Sequence, residues 1–394
     1  MERSTSRILT THVGCLQRPL YLAEAMAAQG GVAPAEPLRK AVGEVVQRQV
    51  EAGVDVVDDG EYGKTIWQWY VTERLTGFER RPFEEPIFKG RDRDLFPTFY
   101  EYADRNVPRS LFYADENEPD PWFGAIVTQP VCVGEVRYRP EAVRRDIENL
   151  QAALAGSDAV EAFYPVAAPI SIAVAMKNEH YPSEEAFVWA LAEAMKEEYR
   201  AIIDAGIVLQ VDDAWLPALW DREADLDLAT YRKRCEGYIE ALNHSLEGLP
   251  EDRIRYHLCW GSWHGPHVSD VPLADIVDLM LTVKAGAFSV EAANVRHEHE
   301  YHLWERVKLP EGKVLIPGVV THSTNLIETP ELVAERIVQY AERVGRENVI
   351  ASTDCGFGAR IHPELGWAKL RALADGAELA SRSLWGTRTA TPVS

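Results

Sequence analysis

Arg255-Tyr256-His257-Leu258-Cys259-Trp260-Gly261-Ser262-Trp263-His264 is an apolar, aromatic-rich run that breaks at a glycine, the pattern of a strand entering a loop. Residues two apart on a strand share a face, so His257 and Cys259 point the same way and could reach one ion. Two further candidates stand at the ends of later apolar runs. Glu291 closes Ala287-Phe288-Ser289-Val290, and Cys355 follows Val349-Ile350-Ala351-Ser352-Thr353-Asp354. Two thiolates, an imidazole and a carboxylate form a borderline-soft donor set suited to zinc. A His-x-Cys pair taken alone is also compatible with an ordinary buried strand.

Outward from that stretch, short β-branched runs alternate with helical stretches along most of the chain, which argues for parallel strands with crossover helices. The candidates are 8–13, 54–57, 126–133, 162–168, 208–213, 256–259, 287–291, 314–320 and 349–353. Nine candidates stand where a closed barrel needs eight. No Gly-x-Gly-x-x-Gly follows the first run, which removes the main argument for a dinucleotide fold. The expected architecture is α/β: a single (β/α)8 TIM barrel over residues 1–394, with a long insertion after the second strand. That insertion, residues 62–121, is aromatic- and Pro-rich and includes Trp67, Trp69, Phe96, Tyr100 and Phe112, a composition of a lid rather than a linker. Barrel chemistry sits at the C-terminal strand ends, and Cys15, Glu61, Asp212, Cys259, Glu291 and Cys355 all lie there on this reading.

Composition narrows the function classes. The 394 residues carry 41 Lys plus Arg against 62 Asp plus Glu, a net charge of −21, which opposes binding to nucleic acid. No run approaches the roughly 20 apolar residues of a membrane span. The N-terminus runs into a strand without an apolar signal core, so a cytoplasmic location is expected. Five scattered cysteines suit a reducing compartment, with ligand or core roles and no disulfides.

Taken together, Thr10-Thr11-His12-Val13-Gly14-Cys15, Asp59-Gly60-Glu61, Gln210-Val211-Asp212-Asp213, His257-Leu258-Cys259, Glu291 and Asp354-Cys355-Gly356 resemble the catalytic domain of cobalamin-independent methionine synthase. The likeness is closer to that family's shorter, single-domain relatives and covers nearly the whole chain. It implies Zn2+ held by His257, Cys259, Glu291 and Cys355, with Glu291 loosening as a thiol substrate arrives and is activated as a zinc-thiolate. It also implies that Glu61 and Asp212 bind the amino group of an amino-acid thiol such as homocysteine; Cys15 beside them reads either as part of that substrate site or as a small buried hydrophobe. The implied activity is transfer of an alkyl group, most simply methyl, from a small-molecule donor to that thiol. The chain departs from the family pattern in having Cys15 where a serine is usual and Gln17 where a proline is usual. The segment that serves folate in the long enzymes is Ile170 to Glu179 here, without its tryptophan and arginine, which speaks against folate as donor. A branch of the family, epoxyalkane:coenzyme M transferase, offers the competing reaction of epoxide opening by a zinc-bound thiolate. A zinc-stabilised thiol-binding protein is the non-enzyme alternative, and a homo-oligomer stays open.

Other residues carry two readings each. His264 and His267, in the loop after the ligand strand, suit proton transfer to a leaving group or a plain hydrogen-bonding wall. His297, His299 and His302 are dense enough for a second metal, but a solvated, charged helix start is expected. Asp58, Asp59 and Glu61 crowd one strand end, where they raise one another's pKa values or bind an ammonium. Cys132 and Cys235 read as core and incidental.

Overall fold

The structure is a computed structural model that describes residues 1–65, 67, 69–82, 89–105, 128–261, 263–358 and 360–386. Eight parallel strands form one sheet: β1 (Leu9–Thr10), β2 (Val56–Val57), β3 (Glu161–Ala167), β4 (Val208–Asp213), β5 (Ile254–Leu258), β6 (Ala287–Glu291), β7 (Val314–Val320) and β8 (Ile350–Thr353). Their order is β1-β8-β7-β6-β5-β4-β3-β2, and a parallel bridge between Thr11 and Val56 joins the two ends. The sheet therefore closes into a (β/α)8 barrel, as the alternation of strands and helices predicts.

Helices cover the outside. Ala35–Glu51 packs Leu38, Ala41, Val42, Val45 and Val46 inward, and Glu184–Asp204 is capped by Ser183, whose side chain accepts from the Ala186 N–H, and buries Phe187, Leu191, Met195 and Ile202. Full burial of one such Leu, Ile or Phe is worth about 1.5–3 kcal/mol, so this face holds the helix in place. The region around Leu273–Val283, which reads as one helix, is a 3-10 turn at Leu273–Asp275 and a single helical turn at Val277–Met280. No described helix is long and apolar enough to cross a membrane.

Small apolar clusters fill the barrel floor: Leu9, Ala287, Val314, Ile316 and Ile350 on one side, Val56, Phe163 and Val208 on the other, with Met1 against both. Above them lies a polar layer. Buried Arg255 donates to Thr11 Oγ1 (3.0 Å) and His12 O (2.7 Å) and lies over the Phe163 ring. Strands β1 and β2 are shorter than the apolar runs suggest. Side chains take the place of ladder partners at both strands: Asp55 accepts from Thr10 N, and past Val57 Gln49 accepts from Asp58 N.

The ninth strand candidate lies outside the barrel. Thr128–Cys132 pairs antiparallel with Phe78–Pro82 and parallel with Lys177–Asn178 in a three-stranded side sheet. Within 62–121 the described parts also include helices Arg91–Leu95 and Pro97–Arg105. Phe112 and the rest of 106–127 lie outside the described residues.

Candidate active site

Strand register delivers the first half of the site. Asp212 on β4 is opposite His257 on β5, which is opposite Ser289 on β6, so all three project into the top of the barrel. Ser289 Oγ lies 3.1 Å from His257 Nδ1, which fixes the ring and leaves the buried Nε2 with no hydrogen-bond partner. Cys259 follows one residue beyond β5 and Cys355 two beyond β8. Ligand-capable atoms of His257, Cys259 and Cys355 all lie within 4.8 Å of one another. The Cys259 thiol donates to the Cys355 sulfur, an interaction that pushes the Cys355 pKa well below and the Cys259 pKa well above the usual thiol value.

The loops are stitched beneath this trio. Asp354 Oδ1 accepts from Ala292 N (2.7 Å) and Ala293 N (2.9 Å), tying the Cys355 loop to the end of β6. Gly318 on β7 allows that approach, since a Cβ there would sit 2.5 Å from the Asp354 Cα. Glu291 is buried at the end of β6, but it stands outside the 4.8 Å group. Its Oε1 accepts from Trp260 N (3.0 Å) and its Oε2 from Asn294 Nδ2 (2.6 Å). Burial raises its pKa to about 7, a shift that His297 opposes and Asp354 reinforces.

The opposite wall is acidic. Cys15 and Glu61 both have left-handed backbones (φ 35° and 59°), and Cys15 N donates to Glu61 Oε1 at 3.1 Å. Gly14 (φ 114°) leaves room for that carboxylate, which a Cβ would meet at 2.7 Å. Buried Lys64 stands 3.5 Å from Glu61 Oε2, donates to Pro165 O, and lies over the Tyr70 and Tyr164 rings. Asp212 Oδ1 accepts from Gln210 Nε2 (2.7 Å). Burial first, then the neighbouring Glu61 charge, pushes Asp58 up to about 7 and Asp212 well above the carboxylate range; burial and Asp58 push Asp59 to about 8.

A small cavity of about 60 Å³ unites both walls. Cys15, Glu61, Trp67, Asp212, His257, Cys259, Cys355 and Arg360 line it. A larger one of about 250 Å³ adjoins it across Cys15 and Gly358. Of the residues singled out in the sequence, His264 is exposed and does not line the site cavity. His299 and His302 are exposed as expected, but His297 is not solvated. It is buried, with Asp270 Oδ2 at 3.2 Å from Nε2 and Glu300 Oε2 at 2.9 Å from Nδ1, because the 3-10 turn Glu298–Glu305 folds it under the β5 loop. Cys132 and Cys235 are buried away from the cavity.

One residue escaped the sequence reading. His322, just past β7 in Thr321-His322-Ser323, is buried with an unpartnered Nδ1, and burial lowers its pKa to about 3. The Cys355 charge acts on it, which places it beside the cluster. Its sequence signal is the same as that of Cys355, a reactive side chain directly after a long apolar run.

Residues 122–378 match the family described as cobalamin-independent synthase, catalytic domain. Among similar proteins, a methionine synthase of Thermococcus kodakarensis is 24% identical over 90% of this chain and 87% of its own length. One from Saccharolobus solfataricus is 24% identical over 95% of each. The fold is shared with a B12-independent methionine synthase from Shewanella sp. W3-18-1, solved in complex with selenomethionine, at a TM-score of 0.72 and 21% identity, covering 96% of this chain and 99% of that one. A family match over most of the barrel, with the donor trio and the acidic wall inside one cavity, makes this chain a member of the cobalamin-independent synthase catalytic-domain family.

Proposed function

We propose that this protein is a zinc-dependent S-methyltransferase of the methionine-synthase type, moving a methyl or other small alkyl group from a small-molecule donor to a thiol. The observation that carries the reading is the trio of His257, Cys259 and Cys355. Their donor atoms converge and the His257 Nε2 is buried without a hydrogen-bond partner among the described residues, so one nitrogen and two sulfurs fit zinc. Those three residues hold the ion, and Glu291 is the exchangeable fourth ligand. Zinc bound there supplies the positive charge that lets a substrate thiol ionise at neutral pH.

The chain's own residues do the rest. Ser289 fixes the His257 ring, and Asp354 holds the Cys355 loop against β6. Glu61 and Asp212 take the ammonium of an amino-acid thiol, Cys15 walls the pocket, and Arg360 faces the substrate's carboxylate. His322, kept neutral by burial, adds an uncharged imidazole to the wall near Cys355. The exposed His264 serves proton exchange with solvent. Of the described residues in 62–121, Trp67 stands in the cavity wall and covers the substrate. The archaeal relatives named methionine synthase, and the selenomethionine held by the Shewanella protein, support an amino-acid thiol. A cytoplasmic setting, where thiols stay reduced, suits the two cysteines.

A second reading, an anionic thiol such as coenzyme M opening an epoxide, is favoured by Arg360 alone. The test is zinc analysis followed by titration of homocysteine, coenzyme M and cysteine, read by zinc X-ray absorption, with methylfolate, methylcobalamin and epoxides as donors. One zinc per chain that gains a sulfur ligand on adding homocysteine is expected. Full activity in metal-free protein would end the proposal, and a sulfur gained only with coenzyme M would select the second reading.

A further inference from the structure

Trp260, the residue after Cys259, is held on three sides. Its amide donates to Glu291 Oε1 at 3.0 Å, its indole Nε1 donates to Val271 O at 2.8 Å, and its ring stacks on His297 with centroids 4.0 Å apart and planes 28° from parallel. His297 in turn is clamped. Asp270 lies at one ring nitrogen and Glu300 at the other, so a protonated ring can donate from both nitrogens. Burial alone would lower its pKa; the bonds to Asp270 and Glu300 and the nearby Glu291 charge outweigh it and raise it to about 10.

The clamp is tied into both loops. Asp270 also meets His267 Nδ1 at 3.0 Å, and Glu300 Oε1 accepts from Leu273 N at 2.7 Å. The network therefore joins the loop after β5 to the loop after β6. A cation stacked on an indole face adds an attraction that a neutral ring lacks.

We propose that His297 is a positioning residue for the donor cluster: held between Asp270 and Glu300, it fixes Trp260, and through Trp260 it sets both the Cys259 sulfur and the Glu291 carboxylate. The consequence for metal affinity rests on the zinc reading above. The contact network itself does not. A partner that orients ligands from outside the coordination sphere is commonly worth about 10- to 100-fold in metal affinity.

The experiment is a double-mutant cycle on the full chain with His297→Gln, Trp260→Ala and the pair. Zinc affinity is read by competition with a chelator, and the alkylation rate of Cys259 by iodoacetamide is read in metal-free protein by peptide mass spectrometry. His297→Gln should weaken zinc by about 10- to 100-fold and raise Cys259 alkylation several-fold, with little further change when Trp260→Ala is added. If His297→Gln does not fold, Asp270→Asn, which keeps the shape of the clamp, should produce the same two changes at smaller size. Additive effects in the cycle, or unchanged zinc affinity and unchanged Cys259 alkylation, would overturn the proposal. Zinc absent from the parent would instead sink the functional reading, leaving the alkylation result to judge His297.

Discussion

On the β5–β6–β8 side of the barrel mouth, the reactive atoms are a histidine nitrogen and two sulfurs that face one another, with Arg360 lining the same cavity. On the β1–β2–β4 side, Asp58, Asp59, Glu61 and Asp212 crowd together, and the chain answers them from within by Lys64 and Arg255. The difference is one of completeness. On the sulfur side the His257 Nε2 has no hydrogen-bond partner among the described residues. The acidic side already has internal countercharges in Lys64 and Arg255.

The sharpest way to break this comparison is to empty the sulfur side. The Cys259→Ser, Cys355→Ser double variant should lose stoichiometric zinc and detectable turnover while keeping its fold, as read by metal analysis and circular dichroism. Zinc retained at one per chain would refute the assignment.

On the acidic side the largest effect should be on stability rather than metal. Lys64 is buried against Glu61 and Pro165 O, so Lys64→Met strands a carboxylate and should cost about 3–5 kcal/mol in urea unfolding. A cost below 1 kcal/mol would mean that Lys64 does not counter this wall. Asp212→Asn should be milder, weakening homocysteine binding about ten- to a hundredfold with zinc in place. Tighter coenzyme M than homocysteine binding in the parent would reverse the substrate preference.

Titration of the same wall gives a smaller signal. Asp58 and Asp59 titrate near 7 and 8 in the folded chain but near 4 when unfolded. The folded state then holds protons that the unfolded state has released, so the stability of the metal-free protein falls as pH rises from about 4 to 8. Asp59→Asn, which mimics the protonated form, should flatten that fall in thermal midpoints. An unchanged slope would show these carboxylates to be ionised throughout. The least effect is expected at His302→Ala, an exposed residue paired with Glu305, within about 0.5 kcal/mol and without loss of zinc.

The sequence by itself determined the barrel and which reactive residues stand at its mouth. Parallel strands buried on both faces must be near-continuous apolar runs, and a reactive residue directly after such a run has to emerge at the mouth. Glu61, Asp212, His257, Cys259 and Cys355 were legible for that reason, and the match of Asp212 to His257 to Ser289 follows from strand pairing alone. Only the tertiary structure decided what those residues touch. His322 carries the same strand-end signal, yet nothing local distinguishes its buried, unpartnered nitrogen from a solvated one. His297 sits in a run of charges that reads as surface, and its burial depends on Asp270, which comes from a different βα loop. Glu291 is similar: its place in sequence names it a ligand, while Trp260 and Asn294 currently hold both of its oxygens. Strand placement is written in short-range periodicity, but the partners of a buried polar atom come from segments tens of residues away and are fixed only when the chain has closed.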